Sequence, residues 1–141
     1  MKDADSMMRN IRKFRLHLAR FFKDVFAESE LNLPQYSLLA VLDEQGEATM
    51  TELTRALGLT MGAGTNLVDR LVRAGLAERK RNTEDRRIVK VQLTPEGSRV
   101  LHSVLDHSRT IIADVLVHIS SEDRAAFLRV LGVLVDRLEQ R

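Results

Sequence analysis

The sequence predicts a mainly α-helical protein carrying one small β-hairpin. Apolar residues recur at helical spacing over most of the 141 residues. Five of these segments open on a helix-capping residue: Asn32, Thr49, Thr60, Thr94 and Ser120. Only the stretch from Leu76 to Leu93 changes to the two-residue alternation of strands.

From Ile11, the residues Phe14, Leu18, Phe21, Phe22, Val25 and Phe26 repeat at helical spacing, with Arg12, Arg15, Arg20 and Lys23 between them. This is a long amphipathic first helix, placed at about residues 6–30. Asn32-Leu-Pro-Gln35 has the form of a capping box with proline in the first turn. The second helix runs from there to about Gln45 and stops at Gly46. Thr49-Met-Thr-Glu52 repeats the capping box and opens a short third helix that Gly58 ends. Thr60 caps a fourth, in which Gly64, Leu67, Val68 and Leu71 share the buried face before Gly75. Two short helices joined by a tight glycine-containing turn have the form of a helix-turn-helix.

Beyond Gly75, Leu76 to Arg81 and Ile88 to Leu93 read as the two strands of a hairpin around a polar tip, residues 82–87. Thr94-Pro-Glu96 starts a fifth helix, with an N-cap, a proline in the first turn and an acid near the positive end of the helix dipole. Its apolar positions run through Ile119. Ser120 caps the last helix, which carries Phe127, Leu128, Leu131, Leu134, Val135 and Leu138 along one stripe. No internal repeat or linker divides the chain, whose length suits one domain.

The composition narrows the function. Without cysteine, the chain has neither disulfides nor thiol redox chemistry. No apolar run is long enough to span a bilayer, and Asp3 and Asp5 precede any apolar stretch, so the expected compartment is the cytoplasm. No nucleophile, phosphate loop or metal motif suggests an enzyme, and no cofactor is expected. His102 and His107 point about 140° apart on their helix, and His118 lies about 16 Å beyond His107, so no two of them share one metal ion. His17 lies on a different helix, which leaves open a site joining it to one of the others or to a partner subunit, beside the reading of all four as interface or surface histidines.

The net charge of +2 conceals a cluster. Residues 70–90 hold eight bases against three acids, a local excess of 8 − 3 = +5. Such clustering suits a phosphate backbone, although a solvated face reads the same way. With Gly64, Leu67 and Leu71 turned inward, the fourth helix presents Met61, Gly62, Thr65, Asn66, Asp69 and Arg73 outward. The N-terminal end of such a helix normally enters the major groove, where Asn66 is suited to the edge of an adenine. Thr60 and Thr65 are candidates for phosphate contacts, Thr60 equally for a cap alone. Arg70, Lys80 and Arg81 are further phosphate candidates. In the hairpin tip, Asp85 can pair with one of Arg86 and Arg87 and leave the other to a narrow minor groove. The residues alone leave open that Asn66 is solvated surface and that Asp85 and Arg87 only brace the hairpin. Gly62 and Gly64 are costly in a helix, and close approach to DNA or to a neighbouring helix would account for them.

Leu33-Pro-Gln-Tyr-Ser-Leu-Leu39, Thr51-Glu-Leu53, Leu67-Val-Asp-Arg-Leu71, Gly75-Leu76, and Asp85-Arg-Arg87 with Leu93-Thr94 and Gly97 resemble the MarR family of bacterial transcription regulators. The resemblance covers nearly the whole chain, residues 1–141. It implies a winged helix-turn-helix over about 33–97 and dimerisation helices over about 6–30 and 98–141. It further implies a homodimer on a pseudo-palindromic operator in double-stranded DNA, recognition helices in the major grooves, and wings in the flanking minor grooves with Arg87 inserted. Ile11, Leu116, Ile119, Leu131, Leu134 and Leu138 become the dimer contacts. A small aromatic or lipophilic effector is implied as well, with Phe14, His17, Phe21 and Tyr36 as its pocket, and repression as the mode of action. The competing reading is an architectural or protein-binding winged helix without a ligand.

Overall fold

The computed structural model describes residues 1–140. They form α1 (Lys2–Phe26), α2 (Leu33–Gln45), β1 (Glu47–Thr49), α3 (Met50–Leu57), α4 (Met61–Arg73), β2 (Ala77–Arg81), β3 (Val89–Leu93), α5 (Pro95–Leu116) and α6 (Ser121–Glu139). Two compact units are present, residues 1–105 and residues 106–141.

Within the first unit the core is aliphatic. Leu38, Leu39 and Leu42 of α2, Leu53 of α3, Val68 and Leu71 of α4, Val91 of β3 and Leu101 of α5 are fully buried. α2 sits at its centre, and both capping boxes foreseen in the sequence are formed. Asn32 and Gln35 exchange side-chain and backbone bonds of 3.0 and 3.1 Å, and Thr49 and Glu52 do the same. The backbone N–H of Thr49 donates to the Glu52 carboxylate, and this bond, with the Thr49 side chain and nearby cations, holds that carboxyl below its ordinary range.

The sheet has a third strand. The sequence reading left Glu47 to Thr49 between two helices, but here they form β1, and the strand order is β1-β3-β2 with both pairs antiparallel. Three residues are too few to display an alternation, and the last of them also serves as the cap of α3. What pins the strand is Ala48, fully buried opposite the fully buried Val91, and the Lys90–Glu47 ion pair at 2.6 Å. Glu47 accordingly raises the Lys90 ammonium above its ordinary value.

Other boundaries shift for local reasons. α1 begins at Lys2, not near residue 6, because Asp3 and Asp5 lie in its first turn where the positive end of the dipole favours them. It ends at Phe26, and Glu30 beyond it has a left-handed backbone with φ 57°. Ile88 falls outside β3, and its N–H bonds the carbonyl of Asp85 in the tip.

In the second unit, α5 ends at Leu116, so Ile119 lies in the turn before α6. Ser120 caps α6 by accepting a 3.1 Å bond from the Asp123 N–H. No residue of α6 is buried, and Phe127, Leu128, Leu131, Leu134 and Leu138 are all exposed. A helix in water draws most of its stability from packing an apolar face, so a helix of this composition needs something to cover it.

Candidate nucleic-acid interface

α3 and α4 meet at a turn built on Gly58, whose φ of 63° and ψ of 33° lie in the left-handed region that costs other residues a steric penalty. Thr60 then caps α4 by accepting a 3.2 Å bond from the N–H of Ala63. Gly64, Leu67, Val68 and Leu71 are buried, as their spacing requires. Met61, Gly62, Asn66, Arg70 and Arg73 are exposed, while Thr65 and Asp69 are half-buried.

The two helical glycines have different causes. A Cβ on Gly64 would lie 2.5 Å from Cγ2 of Thr54, so this glycine lets α3 and α4 approach closely. Around Gly62 nothing lies within 4 Å, and that position is open on the outer face of the helix. Gly62 and Asn66 are one turn apart on the line opposite the core.

The wing is fixed at its root and at its tip. At the root, the Thr94 hydroxyl donates to the Gly75 carbonyl at 2.6 Å and accepts the N–H of Gly97 at 3.0 Å, while the Thr94 N–H bonds the Leu76 carbonyl at 3.2 Å. A Cβ on Gly97 would overlap that same Leu76 carbonyl oxygen. The Leu93-Thr94 and Gly97 pattern is therefore the joint that seats α5 on the base of the hairpin. At the tip, Asn82 accepts the N–H of Glu84 at 2.9 Å, and Asp85 accepts the backbone N–H, Nε and Nη2 of Arg87 at 3.0, 3.1 and 3.3 Å. These bonds from Arg87 hold the Asp85 carboxyl below its ordinary value. The Arg87 side chain nevertheless remains 91% exposed. Of the two arginines that Asp85 was expected to choose between, it takes Arg87, the one assigned to the groove; the carboxylate aims that guanidinium without covering it.

One contact between the wing and α4 escaped the sequence reading. Arg79 of β2 pairs with Asp69 of α4 at 2.5 Å, tying the wing to the outer face of the helix, and Nε of Arg73 donates to the Asp69 backbone carbonyl at 3.3 Å. The separation of ten residues across a change from helix to strand gave no periodic signal. With Arg79, Arg87 and Lys90 engaged by Asp69, Asp85 and Glu47, the cluster keeps Arg70, Arg73, Lys80, Arg81 and Arg86 without a carboxylate partner among the described residues.

Of the residues assigned to an effector pocket, Phe14, His17 and Phe21 follow one another along α1 and Tyr36 lies on α2. Phe14 and His17 are exposed. Half-buried Phe21 and Tyr36 belong to an aromatic chain, Phe21 on Phe22 at 5.3 Å, Phe22 on Phe26 at 5.6 Å and Phe26 on Tyr36 at 5.5 Å. An open crevice of about 380 Å³ lies elsewhere, between the end of α2 and the start of α5, lined by Asp43, Gln92, Thr94 and Ser98 among others. His102 stands near it, its Nδ1 2.8 Å from the Ser98 carbonyl and its Nε2 3.7 Å from Asp43.

A helix-turn-helix with a braced basic wing defines a DNA-binding regulator. The comparisons agree on which kind. The MarR family model matches residues 31–89. The HTH-type transcriptional repressor YetL of Bacillus subtilis is 31% identical over 115 residues, covering 80% of this chain and 69% of that protein. The uncharacterized HTH-type regulator YsmB of Bacillus subtilis is 28% identical over 136 residues, 94% of this chain and 93% of its own. A MarR family protein from Bacillus stearothermophilus superposes with a TM-score of 0.90 at 26% identity, over 98% of this chain and 96% of that one. The chain belongs to the MarR family and is a winged helix-turn-helix transcription regulator. Among its described residues, no helix is long and apolar enough to cross a membrane.

Proposed function

We propose that the protein is a homodimeric repressor that places its two α4 helices in successive major grooves of a pseudo-palindromic operator and its wings in the flanking minor grooves. The observation that carries this is the wing-to-helix unit: an α4 outer face bearing Asn66, locked by Arg79 and Asp69 to a hairpin with unpaired cations and an exposed, carboxylate-braced Arg87. Met61, Gly62 and Asn66 take the groove, while Thr60, Thr65, Arg70, Arg73, Lys80, Arg81 and Arg86 take the phosphates. An E. coli MarR mutant complexed with operator DNA has the same fold, with a TM-score of 0.77 at 22% identity over 94% of this chain and 95% of that one.

The exposed apolar residues supply the argument for a dimer. Ile11 of α1, Ile119 before α6, and Leu131, Leu134 and Leu138 of α6 are exposed, with Leu116 half-buried. A second copy covers them, and the operator's symmetry follows from the dimer's. A small aromatic or lipophilic effector would act by favouring a spacing of the two α4 helices that mismatches the roughly 34 Å repeat of successive major grooves. Thiol oxidation is not open to a chain without cysteine.

Footprinting of the purified protein on its own promoter region tests this reading. Protection of a symmetric site is the expected result, with affinity falling steeply as salt rises. Alanine at Lys80, Arg81, Arg86 or Arg87 flattens the slope of log affinity against log salt by at most about one unit each. Unspecific protection would favour the architectural alternative, and an unchanged slope in all four variants would remove the wing from the interface.

A further inference from the structure

We propose that the operator half-site facing the first two turns of α4 is made of A·T pairs, read by Asn66 and the apolar groups around it, and that guanine is not read there. This rests on α4 being the recognition helix. The first two turns, Met61 to Leu67, contain no charged side chain. Guanine presents two acceptors in the major groove and is read most often by arginine or lysine, whereas adenine matches the donor and acceptor of an asparagine amide. Thymine offers a methyl group, and apolar side chains recognise it by contact.

The exposed groups of these turns fit the second pattern. Met61 is 51% exposed although it is a large apolar side chain, and Ala63 is exposed beside it. Asn66 is exposed on the line opposite the core, one turn from Gly62, where nothing lies within 4 Å to hold the helix away from the base edges. One charged residue of this face that could alter the preference is already engaged. Asp69, which could accept from cytosine, is engaged by Arg79. Arg70 lies outside these two turns, one turn beyond Asn66 on the same outer line, so a base it met would flank the positions faced by the first two turns.

Selection from a randomised duplex library with the purified full-length protein tests the proposal. Symmetric half-sites with A·T pairs at the central positions are expected. Asn66→Ala should then lose roughly tenfold discrimination at one base pair per half-site and leave the others unchanged. Gly62→Arg, which the open surroundings accommodate, should bring guanine into one facing position. Half-sites with G·C pairs at the centre in the wild type, or unaltered base preferences in Asn66→Ala, would overturn the A·T proposal while leaving the recognition helix in place. Failure of the library to converge on any sequence would instead overturn the reading on which it rests.

Discussion

Replacing Gly62 and Gly64 by alanine, one at a time, compares the same chemical change at two sites two residues apart on one helix. At Gly62 the new methyl meets nothing within 4 Å, so the only effect is the reduced backbone freedom of the unfolded chain, a gain of about 0.5 kcal/mol in a first turn. At Gly64 the propensity gain is about 1 kcal/mol, but the methyl arrives 2.5 Å from Cγ2 of Thr54, a residue only 8% exposed. Thr54 cannot turn the methyl aside freely, because its hydroxyl donates to the Thr51 carbonyl at 3.1 Å, a bond worth about 1 kcal/mol. Overpacking of this kind costs about 1 to 3 kcal/mol. The net expectation for Gly64→Ala is a loss of about 1 kcal/mol, seen as a fall of about 4 °C in the melting temperature, against a rise of about 2 °C for Gly62→Ala. Thermal unfolding followed by circular dichroism, at one fixed protein concentration, measures both. Adding Thr54→Ser removes only the obstructing methyl and should restore Gly64→Ala to near the wild type. If Gly64→Ala is as stabilising as Gly62→Ala, or Thr54→Ser brings no recovery, the close approach of α3 and α4 is not the reason for the glycine.

Four further outcomes follow from the features described above. Gly97→Ala should destabilise by about 3 kcal/mol in urea unfolding, because the obstacle is the Leu76 backbone carbonyl rather than a side chain that can move; wild-type stability would contradict the joint. Asp85→Asn should weaken operator binding several-fold at pH 7 while the fold persists, since Arg87 loses the charge that aims it; undiminished affinity would show that Arg87 needs no bracing. The Asp85 carboxyl titrates below its unfolded value of 3.8, so its pairing is complete above that pH and fades only as pH falls through the lower folded value; carboxyl NMR titration should therefore show no change in it between pH 5 and 8. Leu134→Asp, on an apolar residue of a helix that buries none of its own side chains, should yield monomers in sedimentation and lose operator affinity, and a monomer with full affinity would refute the dimer reading.

Much of the fold was legible because its helices announce their own ends. Asn32 with Gln35, Thr49 with Glu52, Thr60 and Ser120 all make the caps their positions suggested, since capping depends on residues three apart and needs no tertiary information. β1 was illegible because a three-residue strand exists only through its partner: Ala48 reads as a strand residue once Val91 is beside it. The Asp69–Arg79 bridge was hidden for the same reason. At the wing tip the identities were visible but not the pairing, because Asp85 stands next to two arginines and only the turn geometry delivers the second. The glycines of α4 carried a single signal with two meanings, and the depth of the Thr54 contact separates them.

The root of the hairpin, where Thr94 clasps Gly75 and Gly97 lies against Leu76, also sets the leverage of the whole wing. About seven residues of extended chain separate that clasp from the tip, a reach of about 23 Å. Pairing with β1 through Lys90 and the Arg79–Asp69 bridge hold most of that length, so a swing of about 5° in the three residues beyond Lys90, about 10 Å, carries Arg87 through about 1 Å. Because Asp85 moves with Arg87, the guanidinium keeps its local aim during such a swing and changes only its address. A perturbation where α5 begins would thus reach Arg87 without touching the tip.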